Sequence, residues 1–154
     1  MAVKRKILAG IFLVYCGVML VLLFHRELPE LVLPYGQLLR QQLNLVPGRT
    51  LGLYWRLLHH SRRYFVLWAA FNLAGNVAMF VPLGALLPAV FPKLRRFWKT
   101  GLLSLVLVAG VETVQLLTLL GSCDIDDLIL NLLGAALGYG LFRLTQRDRE
   151  KEIQ

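Results

Sequence analysis

The sequence predicts an all-α integral membrane protein, in which four transmembrane helices form a bundle and the first outer loop carries interfacial amphipathic helices. Composition is the first observation, because the 154 residues are 57% hydrophobic with a mean hydropathy of +0.62, above an ordinary soluble domain. The second is that the apolar residues form long runs instead of following an amphipathic period. The length suits one compact domain over residues 1–154.

Four runs are long enough to cross a bilayer, and they cover about residues 7–24, 65–91, 98–120 and 125–144. At ~1.5 Å of rise per residue, each can span a hydrocarbon core of ~30 Å with modest tilt or thinning. The first run follows Lys4, Arg5 and Lys6, and no small-x-small cleavage site comes after it. It is therefore predicted to be a retained signal anchor.

The positions of Lys and Arg predict the orientation. Eleven of the 17 basic residues flank the spans at the N-terminus, in the second loop and at the C-terminus, whereas six lie in the first loop. The positive-inside rule then places both termini in the cytoplasm and loops one and three outside. The net charge of +8 is explained by topology and anionic lipid, so a nucleic-acid partner is not expected.

The first loop, residues 26–64, is too polar to span the bilayer and too apolar for a free linker. Leucines recur near helical spacing at positions 31, 38, 39 and 43, which predicts a helix lying on the membrane surface. A second interfacial helix over residues 51–60 would place Tyr54 and Trp55 at headgroup level. Pro47 and Gly48 predict a turn between the two helices.

Polar side chains inside the spans are the best functional candidates, because each costs several kcal/mol in hydrocarbon unless it is paired or faces a cavity. Each of the last three spans carries two of them at helical spacing, at similar outer-leaflet depth. We expect these faces to meet in one ligand-binding pocket that opens to the outer leaflet. The predicted binding residues are Asn72, Asn76, Glu112, Gln115, Asp126, Asp127 and Asn131.

Hydrogen bonding between helices would also explain the amides in this set. Glu112 differs, because a membrane-buried ionisable group is typical of a functional site. The acids Asp124, Asp126 and Asp127 precede or open the fourth span, where carboxylates cap free N–H groups and interact favourably with the helix dipole. The same three acids are candidates for a divalent cation site, and no other cofactor is expected.

Four segments of this sequence resemble the VanZ-like family, which matches over about residues 43–142. They are LNLVP at residues 43–47, NLAGNVAMFVPLG at 72–84, ETVQ at 112–115 and DIDDLILNLLGAALGY at 124–139. The family often has an Arg shortly before the DxDD acids, whereas Gly121, Ser122 and Cys123 stand there in this sequence.

The resemblance implies a bacterial cytoplasmic-membrane protein of the cell envelope, associated with resistance to glycopeptides such as teicoplanin. Besides the lipid bilayer, the partners it implies are a lipid-linked cell-wall intermediate or a lipoglycopeptide. The resemblance does not supply a reaction.

Three functions remain open from the sequence. One is a non-enzymatic factor that binds a lipid or a lipid-linked glycan. Another is an intramembrane, metal-assisted enzyme acting on polyprenyl or lipid phosphates, with Glu112, Asp124 and Asp127 as catalytic candidates. The third is a small transporter, which is disfavoured because one buried carboxylate is evident and the inner half of the spans is apolar.

Overall fold

A computed structural model describes residues 2–25 and 33–151 of the chain. The elements in these residues are α1 Ala2–Phe24, α2 Tyr35–Gln42, β1 Leu43–Asn44, α3 Arg49–Leu58, α4 Arg63–Val90, the 3-10 turn Pro92–Leu94, α5 Phe97–Thr118, β2 Cys123–Asp124 and α6 Ile125–Lys151.

Within the described residues, four helices are long and apolar enough to cross a membrane, as the sequence predicts. These are residues Arg5–Phe24 of α1, all of α4 and α5, and residues Ile125–Gln146 of α6. Helices α4 and α5 begin and end within two residues of the predicted limits. The all-α fold with four membrane spans is therefore confirmed.

The described part of the first loop, from residue 33 onward, carries the two short helices that the sequence predicts. The pattern predicted for the first of them starts at Leu31, which lies outside the described residues, and the described helix α2 covers Tyr35–Gln42. Helix α3 covers Arg49–Leu58 and buries Tyr54 while Trp55 stays exposed. Gly48 precedes α3 with φ +82°, a left-handed conformation that glycine adopts readily, which accounts for the predicted turn.

Successive spans run in opposite directions, so α4 and α6 are parallel to each other. One end of the bundle gathers the C-termini of α1 and α5, the N-termini of α4 and α6, and the acids Asp124, Asp126 and Asp127; we call it the acidic end. The opposite end holds the 3-10 turn, the start of α5 and the basic residues of the segment 93–99, and we call it the basic end.

Helices α4 and α6 form the most closely packed pair in the described part of the chain, through three glycines that we call the glycine seam. A methyl group added at Gly134 would overlap the carbonyl of Val77, and one added at Gly138 would overlap the carbonyl of Val81. Gly84 on α4 meets the backbone of Ala135 in the same way. Small residues let helix backbones approach closely in membranes, so the seam fixes where α6 begins relative to α4.

An apolar cluster fills the middle of the bundle, with Met19 and Leu23 from α1, Phe80 and Leu87 from α4, and Val108 from α5. The Tyr15 hydroxyl donates to the Met79 carbonyl at 2.8 Å and ties α1 to α4. This cluster packs α1, α4 and α5 together through apolar side chains.

Candidate functional site

Asp124 directly precedes α6, at the point where the first loop contacts the start of that helix. Its Oδ1 accepts the N–H of Asp126 at 2.8 Å, which is the bond of an N-cap side chain. Its Oδ2 accepts the Asn44 amide at 3.0 Å and the Thr50 hydroxyl. With 6% of its surface exposed, Asp124 is a buried junction between the first loop and α6.

Asp126 caps a different helix from the one that carries it. Its carboxylate accepts backbone N–H groups from Gly48 at 2.7 Å, Thr50 at 2.8 Å and Leu51 at 3.1 Å. These are donors at the N-terminus of α3, where no local side chain makes a capping bond. Asp126 is fully buried, so this charge is stabilised by the positive end of a helix from the first loop.

A short parallel β-bridge completes the junction, pairing Leu43 with Cys123 and Asn44 with Asp124. It holds Asn44 beside Thr50, to which the Asn44 amide donates at 3.1 Å. We call Asp124 and Asp126, with their partners Asn44, Gly48 and Thr50, the acidic clamp.

The second span joins this region through Asn76 and Asp127. The Asn76 amide donates to Asp127 Oδ1 at 2.6 Å, and both side chains are half-buried. Tyr54 lies close by, with 5% of its surface exposed and its ring against Trp68. Burial, followed by the negative charges of Asp127 and Asp124, raises the pKa of Tyr54 to about 12.

The third span contributes two buried polar residues at this end. Glu112, 5% exposed, accepts the backbone N–H of Asp124 on Oε2 at 3.3 Å. Gln115, also 5% exposed, donates from Nε2 to the carbonyl of Leu23 at 2.9 Å, near the end of α1. Helix α5 therefore faces α1 and the start of α6 through polar groups.

The remaining two predicted residues behave differently. Asn131 is 4% exposed, and in the described part of the chain its Oδ1 has no hydrogen-bond partner. Asn72 is half-buried, and its amide donates to the Trp68 carbonyl within α4 at 2.8 Å. Hydrogen bonds between elements thus join Asn76, Glu112, Gln115, Asp126 and Asp127 to their neighbours, while a shared ligand pocket stays a prediction.

The three acids do not form a recognisable metal centre in the described residues, where no group of three His, Cys, Asp or Glu side chains is arranged to hold an ion. The donors around Asp126 are N–H groups, which stabilise a carboxylate and would repel a cation. Their surroundings fit capping, and a divalent cation at Asp124, Asp126 and Asp127 stays a prediction.

Four residues of this region were not among the predicted binding residues, namely Asn44, Gly48, Thr50 and Tyr54. A signal was present, because Asn44 lies in the LNLVP segment and Gly48 in the predicted turn.

The prediction that the inner half of the spans, which is the half at the basic end, is apolar was wrong. Thr100 and Ser104 of α5 lie in this half and are 2% and 0% exposed. They extend the buried polar stripe of α5 toward the basic end, because residues four apart share a helix face.

Cys123 lies at the edge of the acidic clamp as a half-buried free thiol. Burial, then the charges of Glu112 and Asp124, raises the pKa of this thiol above its ordinary value. The thiol therefore stays neutral and weakly nucleophilic at physiological pH.

Four apolar spans and a buried polar cluster at one end define a multi-pass α-helical membrane protein. The family model described as VanZ/LLP1 matches residues 11–146, and the chain belongs to the VanZ/LLP1 family. No match was found among curated proteins or among solved structures.

Proposed function

We propose that this chain is a bacterial envelope protein that binds a lipid or a lipid-linked cell-wall intermediate at its acidic end and contributes to resistance to glycopeptides such as teicoplanin. The observation that carries the proposal is the concentration of buried carboxylates and carboxamides at that one end, held by bonds from three spans and the first loop. In this proposal both termini are cytoplasmic and the acidic end faces the outer surface of the cytoplasmic membrane.

The chemistry of this end matches two parts of such a ligand. Carboxylates and carboxamides accept and donate hydrogen bonds to the hydroxyl and amide groups of an amino sugar. Phosphate groups suit the exposed guanidinium groups of the adjoining loop, among them Arg49, Arg56 and Arg63, because arginine binds phosphate in a bidentate manner. A glycan carried on a lipid diphosphate has both kinds of group.

The test compares Glu112→Gln with Thr113→Val in a teicoplanin-susceptible bacterium that produces the protein. Gln keeps the shape and most hydrogen bonding but removes the ionisable group, so the reduction in susceptibility should be lost. Thr113 is the next residue of α5, is exposed and donates to the Ala109 carbonyl of its own helix, so its variant should act like the parent chain.

Binding is measured separately on purified protein in lipid nanodiscs, with polyprenyl diphosphate and a polyprenyl diphosphate carrying an amino sugar as probes. The sugar-bearing probe should bind more tightly, and Glu112→Gln should reduce that difference. Equal binding of both probes by the parent chain would contradict recognition of the glycan, and unchanged teicoplanin susceptibility would contradict the role in resistance.

An intramembrane enzyme acting on polyprenyl or lipid phosphates is the second candidate, and the buried Glu112 carboxylate is the observation that favours it. Phosphate release from polyprenyl diphosphate by the purified protein distinguishes the two. Release that disappears in Glu112→Gln and persists in Thr113→Val would replace the binding proposal.

A further inference from the structure

A groove of about 570 Å³ lies between α5 and α6, away from the acidic clamp. Its volume falls within the ~300–1,000 Å³ typical of ligand sites. The groove is hollow because several residues along it are small, namely Gly101, Ser104, Ala135 and Ala136. Larger apolar side chains, including Leu105 and Leu133, form its walls.

The groove extends from the basic end over about half the thickness of a bilayer. On α6 its lining runs from Ile129 to Tyr139, which is about 15 Å at the usual helical rise. A hydrocarbon core is ~30 Å thick, so the groove matches the depth of one leaflet. An acyl chain of a lipid in that leaflet fits this length.

The basic end closes the groove with aromatic rings and surrounds it with cations. Phe97 and Tyr139 contact each other at 5.3 Å between ring centroids, and the Tyr139 hydroxyl donates to the Arg95 carbonyl at 2.7 Å. Arg96 precedes Phe97, and Arg143 lies one turn beyond Tyr139; both are exposed.

Residues next to the groove mark this level as a membrane interface. Lys99 lies 5.4 Å from the ring centroid of Trp98, and an aromatic ring beside a lysine is typical of the headgroup region. The segment 92–99 contains four basic residues and no acid. Anionic headgroups are attracted to such a segment.

We infer that the α5–α6 groove binds one acyl chain of an anionic glycerophospholipid from the leaflet at the basic end, with the phosphate held by Arg96 and Arg143. The site lies at the opposite end of the bundle from the acidic clamp and does not depend on the function proposed there. It would attach a structural lipid that fills the space between α5 and α6.

The test is native mass spectrometry of the detergent-purified full chain with phosphatidylglycerol or phosphatidylcholine. We expect one phosphatidylglycerol to be retained per chain, and phosphatidylcholine to be retained much less. Arg96→Gln and Arg143→Gln should each weaken retention of phosphatidylglycerol by about fivefold, since a basic residue near anionic lipid contributes ~1 kcal/mol. Arg40→Gln, at the acidic end, should leave it unchanged.

The second part of the test uses substitutions that fill the groove. Gly101 and Gly110 both lie on α5 with open space around an added side chain, but only Gly101 lines the groove. Gly101→Leu and Ala136→Leu should lose the bound lipid, and Gly110→Leu should keep it. Ala136→Leu decides the question if Gly101→Leu does not fold.

Three results would overturn the inference. One is equal retention of both lipids by the parent chain, or of neither. Another is undiminished retention in a folded groove-filling variant. The third is a dimer in the parent chain that Gly101→Leu or Ala136→Leu dissociates, because the occupant would then be a second copy of the chain.

Discussion

Helix α6 is held in two different ways along its length. Its first turns are attached by hydrogen bonds and charge, through Asp124, Asp126 and Asp127. About two and three turns further on, Gly134 and Gly138 press the helix directly against the backbone of α4. Backbone packing therefore fixes the bundle, whereas directional polar bonds fix the loop that covers the acidic end.

The largest effect is expected in the glycine seam. Gly134→Leu would force its side chain into the Val77 carbonyl, which should cost the upper end of the ~1–3 kcal/mol typical of overpacking or prevent assembly. Thermal unfolding in detergent measures this loss of stability. Gly140→Leu is the matched control, because Gly140 is exposed and open on the same helix, and an equal loss there would contradict the seam.

Asp126→Asn should come next and should act on the loop rather than on the bundle. One amide group would replace an oxygen that accepts backbone N–H groups, leaving donors of α3 unsatisfied at a cost of ~1–3 kcal/mol. Hydrogen exchange should rise in α3 while amides of α4 and α6 around the seam remain protected. Uniform loss of protection would show that the two regions unfold together.

Asn76→Ala should have a smaller effect, of about 1.5 kcal/mol, because it removes a hydrogen bond to the charged Asp127. Asn72→Ala provides the comparison, since the Asn72 amide donates to its own helix, and we expect less than ~1 kcal/mol there. Chemical unfolding of the two variants side by side checks the order. A larger effect at Asn72 would show that this residue has a role between helices.

The smallest effect concerns reactivity and leaves stability unchanged. Because the pKa of Cys123 is raised by burial and by the charges of Glu112 and Asp124, its alkylation in a Cys16→Ser background should be slow at pH 8 and should keep increasing above the ordinary thiol range. Glu112→Gln removes one charge and should speed the reaction by lowering this pKa. A rate that is unchanged in Glu112→Gln would show that Glu112 does not act on the thiol.

Most of the fold could be predicted from the sequence, because the hydrocarbon core imposes a minimum apolar length on every span. The first-loop helices and the turn at Gly48 could also be predicted, since amphipathic spacing and glycine are local signals. The seam at Gly134 and Gly138 follows a small-xxx-small pattern, although the identity of the partner helix does not follow from it.

In the candidate site the sequence determined which polar residues had to be satisfied, and the tertiary structure decided their partners. Asp126 lies in the first turn of α6, where a local reading predicts that it caps its own helix; instead it caps α3, 76 residues away from it at Thr50. That bond depends on the Leu43–Asn44 and Cys123–Asp124 bridge bringing two loops together. Long-range pairing of this kind depends on backbone placement in three dimensions, which no local period in the sequence encodes.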